Sequence, residues 1–111
     1  MYAFDIERPS TISDAVAALK TDEAQPLGGG QTLIPTLKQR LASPSKLVCL
    51  SGIAEMKGIC DADDGRLCIG GGTTHAEVAT GAGRYPALAA LAANIGDPAV
   101  RTRGTIGGSI A

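Results

Sequence analysis

The sequence predicts an α+β (α/β) fold in two subdomains. A small parallel βαβαβ unit spans residues 1–54, and an incomplete antiparallel α+β unit spans 55–111. Three observations carry this expectation. Between Phe4 and Leu50, short apolar runs alternate with amphipathic helical stretches, the order of parallel strands joined by right-handed crossovers. After Met56 the order changes, because Asp64-Gly65 falls between two short apolar runs, a strong hairpin signal. Glycine clusters at Gly28-Gly29-Gly30, Gly70-Gly71-Gly72 and Gly107-Gly108 mark the joints between elements.

Phe4 to Arg8 alternates and reads as an edge strand ended by Pro9. Thr11-Ile12-Ser13-Asp14 offers a hydroxyl cap and an acid in a first turn. Ile12, Ala15, Val16 and Leu19 then form one apolar helical face. Gln25 to Leu27 is a short strand feeding the first glycine cluster. Thr32 to Leu41 reads as the second helix, with Leu33, Leu37 and Leu41 on its stripe and Pro35 tolerated in the first turn. Lys46 to Leu50 is a continuous apolar run suited to a buried parallel strand. Ser51 to Met56 connects the subdomains.

Lys57 to Cys60 and Arg66 to Ile69 are the arms of the hairpin around Asp61 to Gly65. Thr74-His75-Ala76-Glu77 has the spacing of a capping box, with a short helix running to about Ala79. Pro86 opens another helix whose face carries Leu88, Leu91, Ala92 and Ile95, with Gly96 as its stop. Asp97-Pro98 reads as a turn, and Val100 to Gly104 leads into the last glycine pair.

Bulk properties narrow the function. The chain has 111 residues and a formal net charge of −1, which gives no reason to expect nucleic acid or an anionic membrane as partner. No apolar run approaches a membrane span. Met1-Tyr2-Ala3-Phe4-Asp5 lacks the basic and apolar regions of a signal peptide, so cytoplasm is the expected compartment. Three cysteines without a CxxC spacing and a single histidine, His75, argue against a metal site or a Cys–His nucleophile pair. Cys49, Cys60 and Cys68 are expected to be buried free thiols.

The first glycine cluster has two readings. It is either a flexible turn between strand and helix, or a phosphate cradle of backbone N–H groups. A helix opening at Gln31 or Thr32 would add its N-terminal donors and dipole. No Gly-Lys-Ser/Thr occurs and no GxGxxG follows the first strand. A Walker loop is thereby excluded and a Rossmann site disfavoured.

Three segments together resemble one family. Pro26-Leu27-Gly28-Gly29-Gly30-Gln31-Thr32-Leu33-Ile34-Pro35 resembles the A-G-G-x-S/T-L-x-P loop of the FAD-binding subunits of molybdenum hydroxylases. These include the medium subunit of aerobic carbon monoxide dehydrogenase and the FAD domain of xanthine dehydrogenase. Ile69 to Val78 is similar to their I-G-A-x-T-T-H-A segment. Asp97 to Ala111 is similar to their D-P-x-V-R-N-x-G-T-I-G-G-N/S-L/I-A. Gly28 stands in place of the usual Ala and Thr102 in place of the frequent Asn.

The resemblance implies a vanillyl-alcohol-oxidase (PCMH-type) FAD-binding fold with FAD between the two subdomains. It implies that Gly28, Gly29, Gly30, Gln31, Thr32, Leu33 and Ile34 wrap the FAD diphosphate. Thr105, Ile106, Gly107, Gly108 and Ser109 would complete the contacts, with Thr74, His75, Gly96 and Asp97 near the cofactor. No catalytic residue is implied on this chain. Molybdopterin and 2Fe–2S clusters would sit on a large molybdenum subunit and a small iron–sulfur subunit, and FAD would pass their electrons to an external acceptor. Two rivals are a flavin oxidase or reductase of the same fold, and a non-catalytic relative without FAD. Because family members run on past the last motif, the resemblance also implies an N-terminal fragment. Such a fragment would be inactive alone and prone to self-association through an unpaired sheet edge.

Overall fold

Lys46–Cys49 is the strand that organises the first half of the chain, because it alone has neighbours on both sides. The computed structural model describes residues 1–111. Strand β1 (Asp5–Glu7) and strand β2 (Ala24–Leu27) flank β3 (Lys46–Cys49), in the order β1-β3-β2. Both pairings are parallel, with Ile6 and Gln25 opposite Leu47. This is the topology expected from the sequence. Pro26 has no N–H to donate, and it lies on an edge strand where one side of the ladder is free. Leu47 and Val48 are 2% and 0% exposed. Burying each such side chain contributes about 1.5–3 kcal/mol.

Helix α1 (Ile12–Ala18) begins where its cap predicts, the Thr11 hydroxyl accepting from the Asp14 N–H at 3.1 Å. The predicted apolar face is only partly used. Ala15 is buried and Leu19 half-buried, whereas Ile12 and Val16 are exposed. Seven residues make barely two turns, and on the stripe only Ala15 and Leu19 lose most of their exposure.

Helix α2 (Leu33–Lys38) is shorter than the expected Thr32–Leu41. Its end is a Schellman turn. Leu41 N–H donates to Thr36 O at 3.1 Å and Arg40 N–H to Leu37 O at 3.0 Å, with Arg40 at φ +58°. Leu41 therefore leaves the stripe and is exposed, while Leu37 is buried at 1%. The stop escaped the sequence reading because arginine, not glycine, occupies the left-handed position.

The contacts divide the chain into Met1–Glu55 and Met56–Ala111. A single 3-10 turn, Ala54–Met56, lies at the division. In the second unit β4 (Ile59–Asp61) and β5 (Leu67–Ile69) pair antiparallel. Their turn closes through Ala62 N–H to Arg66 O (2.7 Å) and Gly65 N–H to Ala62 O (3.0 Å), with Gly65 at φ +86°. Helices α3 (His75–Gly81), α4 (Pro86–Ala93), α5 (Pro98–Arg101) and α6 (Ile106–Ile110) complete it. Its core is Val78, Ala82 and Ala92, with Leu67, Ile69, Leu88 and Ile106 packed against them.

Several expectations need correction here. Leu91 is exposed rather than on the buried face of α4. Asp97-Pro98 is not a bare turn. Asp97 caps α5, its carboxylate accepting from Val100 N–H at 3.0 Å, and Pro98 takes the first helical position. The last glycine pair is not a loop but part of the short helix α6.

Cysteine burial is also mixed, since Cys49 is buried but Cys60 and Cys68 are exposed. The period of two along β4 and β5 turns those two residues away from the face that carries Ile59, Leu67 and Ile69. Burial pushes the Cys49 thiol up, but hydrogen bonds from Ser51 and the nearby Arg8 charge outweigh it and hold the thiol below its ordinary range. No helix is long and apolar enough to cross a membrane.

Candidate functional site

The first glycine cluster forms the connection from β2 to α2, and its backbone donors are idle. The N–H groups of Gly28, Gly29, Gly30, Gln31 and Thr32 donate to no acceptor in the chain. Gly30 O accepts from Ile34 N–H at 3.0 Å, which closes the turn without using those donors. Gly30 has φ +77°, and a Cβ there would stand 2.7 Å from Ile34 Cδ1. The positive φ favours glycine, whereas the flexible end of Ile34 could turn aside for a Cβ.

Thr32 opens α2, but its hydroxyl makes no capping bond. Residues 24–37 contain no acidic side chain, so the loop itself carries no charge that repels an anion. Five free N–H groups, a free hydroxyl and no carboxylate fit a diphosphate. Helix α2 has only six residues, so the loop donors, rather than a helix dipole, supply the attraction. Leu33 is half-buried, whereas Ile34 is exposed.

The second unit brings together two motifs that the sequence presents as separate loops. Thr74 bridges Thr105 in an antiparallel β-bridge. Ile106 N–H donates to Thr73 O at 3.0 Å and Gly107 N–H to Gly71 O at 2.9 Å. The two backbones lie so close that a Cβ on Gly107 would meet Gly71 O at 2.6 Å. Nearly every donor here is used internally. Gly70 N–H goes to Gly58 O, Gly72 N–H to Met56 O, and Gly108 N–H to the Thr105 hydroxyl. The Thr74 hydroxyl and Glu77 carboxylate satisfy the capping box in both directions.

His75 is buried at 4% exposure. Its N–H donates to Gly104 O at 3.0 Å, and its Nε2 lies 3.0 Å from Ser109 Oγ. The side chain thus ties the start of α3 to α6. Gly96 has φ +52°, and its carbonyl accepts from Arg101 at 3.1 Å. The Asp97 carboxylate is engaged in capping α5.

Thr73 is the residue the sequence reading passed over. It is fully buried, and its hydroxyl accepts from Gly58 N–H at 3.0 Å and lies 3.3 Å from Gly58 O. The only sequence signal for it is a threonine directly after three glycines. A groove of about 520 Å³ beside β1 and α1 is lined by Glu7, Arg8, Asp14 and Lys46. None of the glycine clusters reaches it, and its charges balance.

The profile of the family described as "FAD binding domain in molybdopterin dehydrogenase" matches residues 2–111. The carbon monoxide dehydrogenase medium chain of Afipia carboxidovorans is 41% identical over 98% of this chain. The xanthine dehydrogenase FAD-binding subunit of Escherichia coli O157:H7 is 33% identical over 93% of this chain. The chain spans 39% and 37% of the lengths of these curated relatives. The crystal structure of quinoline 2-oxidoreductase from Pseudomonas putida 86 superposes with a TM-score of 0.94 at 36% identity, covering 99% of this chain and 40% of that one.

Proposed function

The chain belongs to the FAD-binding domain family of the molybdopterin dehydrogenases, and from that premise we propose that it holds FAD in a molybdenum hydroxylase-type oxidoreductase. In this reading Met1–Glu55 is the first FAD-binding subdomain and Met56–Ala111 the beginning of the second. The observation that carries it is the row of idle N–H groups from Gly28 to Thr32.

Gly28 to Thr32 would hold the diphosphate through these donors and the Thr32 hydroxyl, with Leu33 and Ile34 next to them at the start of α2. Thr74, His75, Gly96, Asp97 and Thr105 to Ser109 are proposed as further cofactor contacts. Their backbone donors are largely committed, and so are the Thr74 and Ser109 hydroxyls, so they would act through shape, the Thr105 hydroxyl proton and close backbone approach. FAD supplies the redox chemistry when bound, and the chain supplies binding and orientation. The electrons would come from iron–sulfur clusters on a small subunit and a molybdenum centre on a large one, and leave to an external acceptor. The assembly would be a cytoplasmic hetero-oligomer.

FAD titration followed by flavin fluorescence is the test. A ligand this large needs most of its surface buried, and the chain spans two fifths of its relatives' length. Saturable binding weaker than about 1 μM is therefore expected from these 111 residues. ADP should compete and riboflavin, which lacks phosphate, should not. Absence of saturable binding, or competition by riboflavin alone, would overturn the diphosphate assignment.

A further inference from the structure

Cys60 and Cys68 lie directly opposite each other on β4 and β5. Gly70 N–H donates to Gly58 O and Ala62 N–H to Arg66 O, which makes 58/70 and 62/66 hydrogen-bonded pairs. Cys60/Cys68 is midway between them, so the alternation puts it in the same class, with Cα atoms about 5.5 Å apart. That separation falls within the roughly 4.4–6.8 Å range of disulfides, while the Cβ atoms of such a pair stand nearer about 5.5 Å than the usual ~3.8 Å, so the link would be strained and readily reduced. Both side chains are exposed and both thiols are free. They share the outer face of the hairpin, since Ile59, Leu67 and Ile69 occupy the other.

The hairpin is also held still. Its open end is tied by Gly72 N–H to Met56 O (2.7 Å) and by the buried Thr73 hydroxyl to Gly58. Arg84 pairs with Asp61 and donates to Gly65 O at 2.6 Å, which fixes the turn end. Little conformational freedom remains to be lost on joining the sulfurs, and the same rigidity opposes the small approach of the strands that the bond requires, which keeps it reversible. Cys49 does not compete, because it is 7% exposed and bonded to Ser51 Oγ at 3.2 Å.

We propose that Cys60 and Cys68 are a modification site, forming a reversible intrachain disulfide by exchange with a small-molecule disulfide. One thiolate attacks a sulfur of that disulfide, breaks its S–S bond and releases one small thiol. The opposite thiolate then attacks the protein-side sulfur of the mixed disulfide and releases the second. Two electrons and two protons leave the cysteines and reside on the two released thiols. The new bond staples the register that leads into Gly70-Gly71-Gly72.

The test is incubation of the purified protein with glutathione disulfide, then acid quenching, alkylation, tryptic digestion and mass spectrometry. Cleavage after Arg66 separates the two cysteines, so the linked pair is read directly as two joined peptides. The expected product is the Cys60–Cys68 link, in about tenfold excess over glutathione-capped forms, reversed by dithiothreitol and retained in Cys49→Ser. Cys60→Ser and Cys68→Ser should each carry a single glutathione adduct instead. Independent capping of both thiols in the unsubstituted protein, or links to Cys49 or between chains as the main product, would overturn the proposal.

Discussion

Two glycine-rich regions of this chain look alike as sequence and differ in what their backbone is for. Gly28-Gly29-Gly30-Gln31-Thr32 leaves five consecutive N–H groups unused. Gly70 to Thr74 and Thr105 to Ser109, apart from Gly71 and Thr105, spend theirs on each other, on Gly58 and Met56, and on side-chain caps. In the first region glycine supplies a positive φ and leaves the donors that the proposed cradle would use. In the second it removes the Cβ so that two backbones can touch. The donor ledger separates the two roles, and composition does not. Substitutions in the two regions should accordingly damage different things.

The largest effect is expected at Gly107→Val. The new Cβ would lie 2.6 Å from Gly71 O and 3.0 Å from Gly71 C, which are backbone atoms with no rotamer to yield. A loss of about 3 kcal/mol or more is expected, seen as a collapsed thermal transition of the second unit by circular dichroism. A variant melting like the unsubstituted protein would erase the contrast between the regions.

Gly30→Val should be milder for folding and worse for the ligand. Its Cβ meets the end of the flexible Ile34 side chain, which can turn aside. The residue must still hold φ +77°, at a cost of about 1–2 kcal/mol. Circular dichroism should show a folded protein with a modestly lower melting temperature. FAD titration should show at least about a tenfold loss of affinity, equivalent to about 1.4 kcal/mol. Equal affinity in a folded variant would mean that the idle donors serve no diphosphate.

The same contrast explains what could be read in the sequence. The parallel unit was legible because apolar runs and caps are local signals. Thr11, Lys46 to Cys49 and the Asp64-Gly65 hairpin all fall where their residue types direct. The capping box at Thr74 and Glu77 was legible for the same reason. What escaped depends on contacts distant in sequence. Helix α6 forms despite Gly107 and Gly108, poor helix formers, because Ile106 and Gly107 are held by Thr73 and Gly71 more than 30 positions earlier. The buried hydroxyl of Thr73 has no local pattern either. Arg40 in a left-handed conformation contradicts its own propensity, and so the end of α2 was misplaced.

Thr74→Ala tests the committed region with a smaller perturbation. It removes the acceptor for Glu77 N–H (3.2 Å) and the partner of the Glu77 carboxylate (2.9 Å). About 1 kcal/mol of stability should be lost. Glu77→Ala should cost a similar amount, and the double variant less than the sum, because both changes break one reciprocal cap. Strict additivity in chemical denaturation would show that the two halves of the box act independently.

The smallest stability effect, and the sharpest separation of the two roles, is expected at Thr32→Ala. Four threonines precede helices in this chain, and three of them cap. Thr11, Thr74 and Thr105 each accept from the backbone N–H three residues on. Thr32 has φ −102° and ψ −46°, and its hydroxyl accepts nothing from α2. Removing that hydroxyl therefore breaks no bond within the protein, and the change in unfolding free energy should stay within about 0.5 kcal/mol. If the hydroxyl instead donates to a phosphate oxygen, its loss removes a hydrogen bond to a charged group, worth about 1.5–3 kcal/mol. FAD affinity should then fall by about tenfold or more while the melting curve stays in place. A drop in stability comparable to that of Thr74→Ala would reveal a cap at Thr32 and return this loop to the structural class of the other. Unchanged stability with unchanged affinity would remove Thr32 from the proposed cradle and leave the diphosphate to the glycine N–H groups alone.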